Sequence, residues 1–180
     1  METIMDDKPT RPQWSLFISM TVVCFFLDLL SKLWTVNFLY YRPPMRVIGQ
    51  YLQLMLVYNK GALFGFNPKH FIPWFPLNAF FFVFSILAIL VIVVYFSKLR
   101  RSDALMRYGL MLILPGALGN LFDRIIHPGK GVVDFIRVGV SETVYWPIFN
   151  LADVYVTIGV ALVFINFYLE ERRKACKKNL

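Results

Sequence analysis

Residues 77–96 read LNAFFFVFSILAILVIVVYF, a run of twenty positions without one charged side chain. A helix of about 20 apolar residues spans the hydrocarbon core of a bilayer, which is roughly 30 Å thick. Three further apolar segments, at about 15–38, 106–122 and 149–169, are long enough to do the same. Backbone polar groups find no water inside a bilayer, so we predict four transmembrane helices. The third segment contains GALG at 116–119, whose small residues predict a close contact between helices.

The composition of the chain fits a membrane protein and excludes several other classes. Of its 180 residues, 58% are hydrophobic, only 17% are charged, and 18 are Phe. Soluble domains average about 25% charged residues, and a small soluble core has no room for so many large apolar side chains. We therefore exclude an ordinary soluble enzyme, a disordered chain and a disulfide scaffold. We expect one membrane-embedded domain over residues 1–180.

The basic residues indicate how the helices are oriented. A net charge of +8 could suggest nucleic acid, but Lys and Arg gather at the ends of the apolar segments, so we expect no nucleic-acid partner. Eleven basic residues lie in the two terminal tails and in the connection between the second and third segments, against seven in the loops at about 39–76 and 123–148. The positive-inside rule then predicts that both termini are cytoplasmic and that these two loops are outside.

The first outer loop has the pattern of a β-strand. Residues 46–58, RVIGQYLQLMLVY, are rich in β-branched and aromatic side chains, and residues 59–61, NKG, are typical of a turn. We predict a small β-sheet in this loop, resting on the outer face of the membrane. The fold class is therefore an α-helical polytopic membrane protein with four transmembrane helices and a small extracytoplasmic β-sheet.

Ionisable residues at membrane depth are candidates for chemistry, because inserting each one costs about 2.5–3.5 kcal/mol. The i,i+4 spacing of Asp28 and Lys32 puts them on one helix face. They form either a structural pair, with Lys32 extended toward the interface, or part of a site. Asp123 and Arg124 end the third helix, either as a charge-pair anchor or as site residues.

Two more carboxylates lie near the predicted outer interface, Asp134 in the second outer loop and Asp153 at the start of the fourth helix. If they converge in a poorly solvated place, they can share one proton. Other chemistries lack the residues they need. The two histidines do not have the spacing of a zinc hydrolase, Ser31 and Lys32 point in different directions on a helix, and no histidine is placed to activate a cysteine. We expect neither a metal nor a cofactor.

Four blocks of sequence, taken together and in order, resemble the lipoprotein signal peptidase family (signal peptidase II). They are DLLSK at 28–32, YNKGALFGF at 58–66, GALGNLFDRI at 116–125, and VVDFI at 132–136 with FNLADVYVTIG at 149–159. Each block alone is weak, but all four on four helices are specific, and the likeness covers about 15–169. The sequence departs from the family at Leu63, where a small residue is usual, and in the longer HPGKG turn before Asp134.

The resemblance implies an aspartic endopeptidase of the bacterial cytoplasmic membrane, with its site near the outer face. Such enzymes remove signal peptides from prolipoproteins by cutting just before a cysteine that carries diacylglycerol. By motif, the catalytic pair would be Asp134 and Asp153. The substrate site would be lined by Asn59, Gly61, Asn120, Arg124, Asn150 and Ala152. The supporting residues would be Asp28, Lys32 and Asp123. The expected partners are lipidated prolipoproteins and membrane lipid, and the enzyme is expected to be a monomer.

Two other functions stay open when the residues are considered alone. A small proton-coupled transporter could use the same acids as a relay, although transport sites usually lie near the bilayer midplane between internal repeats. A structural membrane scaffold is the second alternative. It would not explain why Asn59, Asn120 and Asn150 join the acids on the outer side.

Overall fold

Four long helices form the described part of the chain together with a small sheet. The computed structural model describes residues 9–60, 74, 76–100, 102–141 and 143–178. The helices are α1 (Arg11–Leu39), α2 (Leu77–Lys98), α3 (Ala104–Ile126) and α4 (Leu151–Lys178). Each is long and apolar enough to span a membrane, and large apolar side chains such as Phe84 and Val91 are more than half exposed. Apolar surface on this scale fits a lipid environment, and the prediction of four membrane helices is confirmed.

Two helices end later than the sequence pattern predicts. α4 continues past 169 to Lys178, because residues 169–178, LEERRKACKK, are mostly good helix formers that extend the hydrogen-bonded backbone beyond the apolar stretch. α3 continues past 122 to Ile126, so Asp123 and Arg124 lie within its last turn. An apolar pattern marks the part of a helix that lies in lipid, and the backbone hydrogen bonds can run further.

A three-stranded antiparallel sheet joins the two loops that follow α1 and α3. Its strands are β1 (Met45–Ile48), β2 (Leu52–Asn59) and β3 (Val132–Val138), in the order β1-β2-β3. The segment 46–58, predicted to be strand-like, forms two strands, because a turn at 49–51 divides it and Gly49 there has a φ of +51°, which favours glycine. The prediction of a small sheet is confirmed. The sheet is not confined to the first outer loop, however, since β3 comes from the second.

The pairing of β2 with β3 brings two predicted site residues, Asn59 and Asp134, close together as diagonal neighbours in the sheet. Val57 is opposite Asp134, and Asn59 is opposite Val132. Asn59, predicted to begin a turn, is instead the last residue of β2. The end of β2 and the first half of β3 therefore lie together beside the helices.

α3 is the central helix and packs against α1, α2 and α4. At the end of the bundle away from the sheet, which we call the apolar end, Phe17, Phe96 and Met111 belong to one buried cluster, and the first two rings stack 4.0 Å apart. A Cβ atom on Gly109 would lie 2.8 Å from the carbonyl oxygen of Gly159, so α3 and α4 nearly touch there.

The same two helices approach closely again near the sheet. A Cβ atom on Gly116 would lie 2.5 Å from the carbonyl oxygen of Ala152, and one on Gly119 would collide with the carboxylate of Asp28. The prediction that GALG at 116–119 supplies helix-packing contacts is confirmed. These small residues let charged groups from α1 and the start of α4 come up against α3.

Candidate active site

Both candidate catalytic aspartates lie at the sheet end of the bundle, formed by the sheet, the last turns of α1 and α3 and the first turn of α4. Asp134 is in β3 and is 2% exposed, and Asp153 is in the first turn of α4. Asn150, which is fully buried, contacts both. Its Nδ2 donates to Oδ1 of Asp134 at 2.7 Å, and its backbone N–H donates to Oδ2 of Asp153 at 3.1 Å. One asparagine thus joins the two carboxylates.

The surroundings of Asp134 favour its protonated form. Burial raises the pKa of Asp134 to about 7, and the negative charge of Asp153 adds to this effect. Two amide donors act in the opposite direction: Asn150, and Asn59, whose Nδ2 donates to Oδ2 at 2.9 Å. The neutral and ionised forms of this carboxyl group therefore coexist near pH 7.

Asp153 is held by the start of its own helix. Because α4 begins at Leu151, Asn150 is the N-cap and Asp153 the third helical residue. The backbone N–H of Asp153 donates to Oδ1 of Asn150 at 3.0 Å, which with the reverse bond from the Asn150 backbone forms a capping box. Nδ2 of Asn120 donates to the other carboxylate oxygen, Oδ1, at 3.0 Å. Both oxygens of Asp153 are thereby held in place.

Lys32 is the centre of a buried cluster of charges. Its Nζ lies 2.7 Å from Oδ2 of Asp28 and 3.0 Å from Oδ2 of Asp123, and it donates to Oδ1 of Asn120 at 3.1 Å. The side chain is 2% exposed, so the prediction that it extends toward the interface is wrong. A buried ammonium group needs compensating charge, and two carboxylates on two helices supply it.

The two carboxylates that bind Lys32 also hold the backbone beside the candidate catalytic residues. Oδ1 of Asp28 accepts the backbone N–H of Ala152 at 2.9 Å, and Oδ2 of Asp123 accepts that of Val133 at 3.0 Å. Each of these donors belongs to the residue just before a candidate catalytic aspartate. Asp28 and Asp123 thus contact the backbone next to Asp153 and Asp134, and Lys32 binds both of them. These contacts are consistent with the supporting role predicted for the three residues.

Arg124 lies beside the cluster in the last turn of α3. Its Nη1 donates to the backbone oxygen of Asn120 at 2.8 Å, and the guanidinium carbon lies 5.4 Å from the centre of the Phe81 ring. Asp123, the alternative partner, pairs with the buried lysine instead. The arrangement favours a site role for Arg124 over a charge-pair anchor with its neighbour.

The structure brings together every predicted site residue that it describes. Gly61 lies outside the described residues, as does Leu63, so their predicted places stay predictions. Val133 was not singled out from the sequence. It takes part only through its backbone, which donates to Asp123 and accepts from Asn150 at 3.2 Å, and a side-chain motif gives no signal of such a role.

Comparison with known proteins places the chain in a family. The family model described as signal peptidase (SPase) II matches residues 20–169. The chain is 34% identical to the lipoprotein signal peptidase of Clostridium novyi, over 81% of this chain and 91% of the relative. It is 35% identical to that of Geobacter sulfurreducens over 92% and 99%, and 40% identical to that of Streptomyces griseus over 82% and 70%.

Solved structures give the same picture for the fold. A bacterial membrane enzyme determined by the in meso method matches with a TM-score of 0.77 at 27% identity, covering 94% of this chain and 96% of that chain. A second structure of a bacterial membrane enzyme, determined in the same way, matches with a TM-score of 0.73 at 27% identity, covering 91% and 97%.

Fold and site together define a polytopic membrane protein with a buried cluster of acids, amides and one lysine at one end of its helical bundle. More narrowly, the chain belongs to the signal peptidase II family and is a membrane peptidase. The resemblance carried by the four sequence blocks is confirmed.

Proposed function

We propose that the protein is an aspartic endopeptidase that removes signal peptides from prolipoproteins by cutting just before the diacylglyceryl-modified cysteine. The observation that carries the proposal is the joining of Asp134 and Asp153 through Asn150, with the pKa of Asp134 raised to about 7. The relatives named as lipoprotein signal peptidases support the substrate class. The proposed partners are therefore lipidated prolipoproteins and the lipid around them.

The proposed reaction needs one ionised and one protonated carboxyl group. The ionised member takes a proton from water, which attacks the carbonyl carbon of the scissile peptide bond. The protonated member donates a hydrogen bond to the carbonyl oxygen, and a proton then passes to the leaving amine. The raised pKa makes Asp134 the proposed proton carrier. Asp153, the other member of the pair, is the proposed base.

The residues around the pair are suited to holding an extended substrate. Arg124 at the edge of the cluster can donate to carbonyl oxygens of the peptide or of the diacylglyceryl ester, because its guanidinium carries five N–H donors. The amide side chains hold the carboxylates and can also bind peptide groups. The proposed substrate-binding residues are Asn59, Gly61, Asn120, Arg124, Asn150 and Ala152.

We propose a single domain over residues 1–180, acting as a monomer in the bacterial cytoplasmic membrane. In this orientation both termini are cytoplasmic and the site is near the outer face, where a lipid-anchored cysteine with its acyl chains in the bilayer would place its scissile bond. The denser basic residues in the tails and in the α2–α3 connection support this orientation. Reporter fusions after Leu99 and after Leu180 should both read cytoplasmic, and an external reading of either would refute it.

The position of the acids favours a peptidase over a proton-coupled transporter. Asp123 is in the last turn of α3, Asp153 is in the first turn of α4, and Asp134 is in the sheet. These places are at one end of the bundle, whereas transport sites usually lie near the middle of the membrane.

The proposal is tested by incubating the purified protein with a prolipoprotein that carries the diacylglyceryl group and with the same protein lacking it. We expect release of the signal peptide from the modified substrate only, and mass spectrometry should find the lipidated cysteine at the new N-terminus. Asp103→Asn, an Asp-to-Asn change before α3 at the apolar end, is the control and should cleave normally. Equal cleavage of the unmodified protein, or cleavage at another bond, would contradict the proposed specificity.

A further inference from the structure

His127 contacts three parts of the sheet end, two through its ring and one through its backbone oxygen. His127 follows the last residue of α3, and its backbone oxygen accepts from the N–H groups of Lys130 at 3.0 Å and Gly131 at 3.2 Å. Its ring packs edge-on against Tyr58 of β2, with ring centres 5.4 Å apart. Its Nδ1 lies 4.0 Å from Oδ1 of Asp123 on α3. His127 therefore stands where α3, β2 and the turn leading to β3 meet.

The Nδ1 atom of His127 is buried beside a small cavity, which is mostly apolar but is also bordered by Lys32 and Asp123. Among the residues that the structure describes, it has no hydrogen-bond partner within reach. The cavity has a volume of about 40 Å³, and its lining includes Lys32, Asp123 and Val133 as well as apolar side chains of α1. Nδ1 of His127 and Oδ1 of Asp123 are 4.0 Å apart at this cavity, and a water molecule between them would bridge two groups too far apart for a direct hydrogen bond.

We propose that His127 is a positioning residue of the peptidase and acts on Asp123 across this cavity. The inference rests on the proposed function, because Asp123 supports the candidate catalytic pair. Oδ2 of Asp123 binds both Nζ of Lys32 and the backbone N–H of Val133, so the carboxylate has to keep one rotation to serve both. His127 holds the other oxygen, Oδ1, and so fixes that rotation. Through Val133 the effect reaches Asp134, the next residue of β3.

Two substitutions of similar size separate the polarity of His127 from its shape. In His127→Asn the amide keeps a polar atom close to the place of Nδ1, whereas His127→Leu fills a similar volume without one. We expect kcat to fall about tenfold in His127→Leu and less than about threefold in His127→Asn, the range that one supporting hydrogen bond accounts for. KM and the melting temperature should change little in either variant.

Ile125→Ala, at an exposed position of α3, is the control and should match the unmodified enzyme. Equal losses of kcat in His127→Asn and His127→Leu would show that shape alone matters, and no loss in either would show that His127 does not act on the reaction. Both outcomes would overturn the proposal.

A double-mutant cycle tests the path through Asp123. If His127 acts through this carboxylate, His127→Leu should cause little further loss of kcat in an Asp123→Asn background, because the two changes interrupt one connection. Losses that multiply in the double variant would show an independent effect of His127 and refute the path.

Nitrogen NMR of labelled histidine gives a readout that does not depend on cleavage. The Nδ1 resonance of His127 should report a hydrogen-bonded nitrogen and should shift in Asp123→Asn. The sequence contains one other histidine, His70, and the resonance that disappears in His127→Leu identifies that of His127. An unchanged His127 resonance in Asp123→Asn would overturn the inference. The expected shift in a protein that does not cleave prolipoproteins would support the contact and refute the peptidase proposal.

Discussion

The two ends of the helical bundle are held together by opposite kinds of contact. At the apolar end, large side chains such as Phe17, Phe96 and Met111 fill the core, and the backbones of α3 and α4 meet at Gly109. At the sheet end, buried carboxylates, amides and one ammonium group lie among apolar side chains such as Val133 and Phe135. Burying charges has a desolvation cost that apolar packing does not have. The apolar end thus adds packing without this cost, while the sheet end holds the proposed site.

The two kinds of packing are connected because α1, α3 and α4 take part in both. The apolar end holds the helices close, which brings Asp28, Lys32 and Asp123 within bonding distance of each other at the sheet end. There Lys32 binds both carboxylates, which fixes their positions. Without its positive charge the two carboxylates would repel each other. Substitutions of the candidate catalytic pair should therefore lower activity, whereas substitutions of the ion cluster and of the apolar end should mainly lower stability.

The largest expected effect is the loss of cleavage when either candidate catalytic aspartate is changed. Asn has nearly the shape of Asp but can neither take up nor return the proton that the reaction moves. We expect Asp134→Asn and Asp153→Asn each to lower kcat by at least about 10³-fold, with the double variant no worse than either, because the pair acts as a unit. Cleavage assays on protein from a host without its own peptidase measure this. Robust cleavage by either well-folded variant would refute the mechanism.

The second effect is a loss of stability on changing Lys32. Lys32→Met leaves two buried carboxylates without their common cation, and breaking a buried ion pair in this way costs about 3–5 kcal/mol. The melting temperature in detergent should fall strongly, while folded molecules keep measurable cleavage because Nζ contacts neither Asp134 nor Asp153. Lys98→Met, at an exposed lysine of α2, is the matched control and should melt normally. A normal melting temperature for Lys32→Met would show that the ion cluster adds no stability.

Much of the fold was predictable from the sequence because membrane helices depend on local properties. The uncharged run at 77–96 needs no knowledge of the rest of the chain to be identified as a helix. The sheet was predicted less well. The turn at Gly49 depends on a single positive φ, and β3 depends on pairing with β2 across a long stretch of sequence. Neither feature leaves a strong local pattern.

Some features of the candidate site could also be predicted from the sequence, and others could not. Asp134 and Asp153 could be selected because carboxylates near a bilayer are costly and because they lie in family motifs. The inward direction of Lys32 could not be predicted, since its i,i+4 spacing to Asp28 fits an extended or a buried side chain equally well. The direction of the Lys32 side chain is determined by a second carboxylate, that of Asp123, which contacts Nζ from another helix. Long-range pairs of this kind follow from packing and not from spacing.

The third effect is a loss of stability with rising pH that is caused by Asp134. Because burial raises the pKa of Asp134 to about 7, the folded state keeps a proton that the unfolded state has lost, and stability falls as pH rises from about 4 to 7. Asp134→Asn cannot titrate, so its stability relative to the unmodified protein should improve by about 2–3 kcal/mol between pH 5 and pH 8. Melting curves over this range measure the difference. A difference for Asp134→Asn that does not vary with pH would contradict the raised pKa.

The smallest effect tests the apolar end alone. A Cβ atom on Gly159 would lie 2.6 Å from the backbone oxygen of Gly109 and from Cγ1 of Ile113, so Gly159→Ala forces α3 and α4 apart. Overpacking of this kind costs about 1–3 kcal/mol, which should lower the melting temperature. Gly159 lies about 9 Å along α4 from Asp153, whose carboxylate is held by Asn120 and Asn150, so cleavage per folded molecule should stay within about twofold of normal. Val160→Ala, at a neighbouring exposed position, should change neither property. A large loss of cleavage in folded Gly159→Ala would show that the two ends are coupled, and the separation of stability from chemistry would then be wrong.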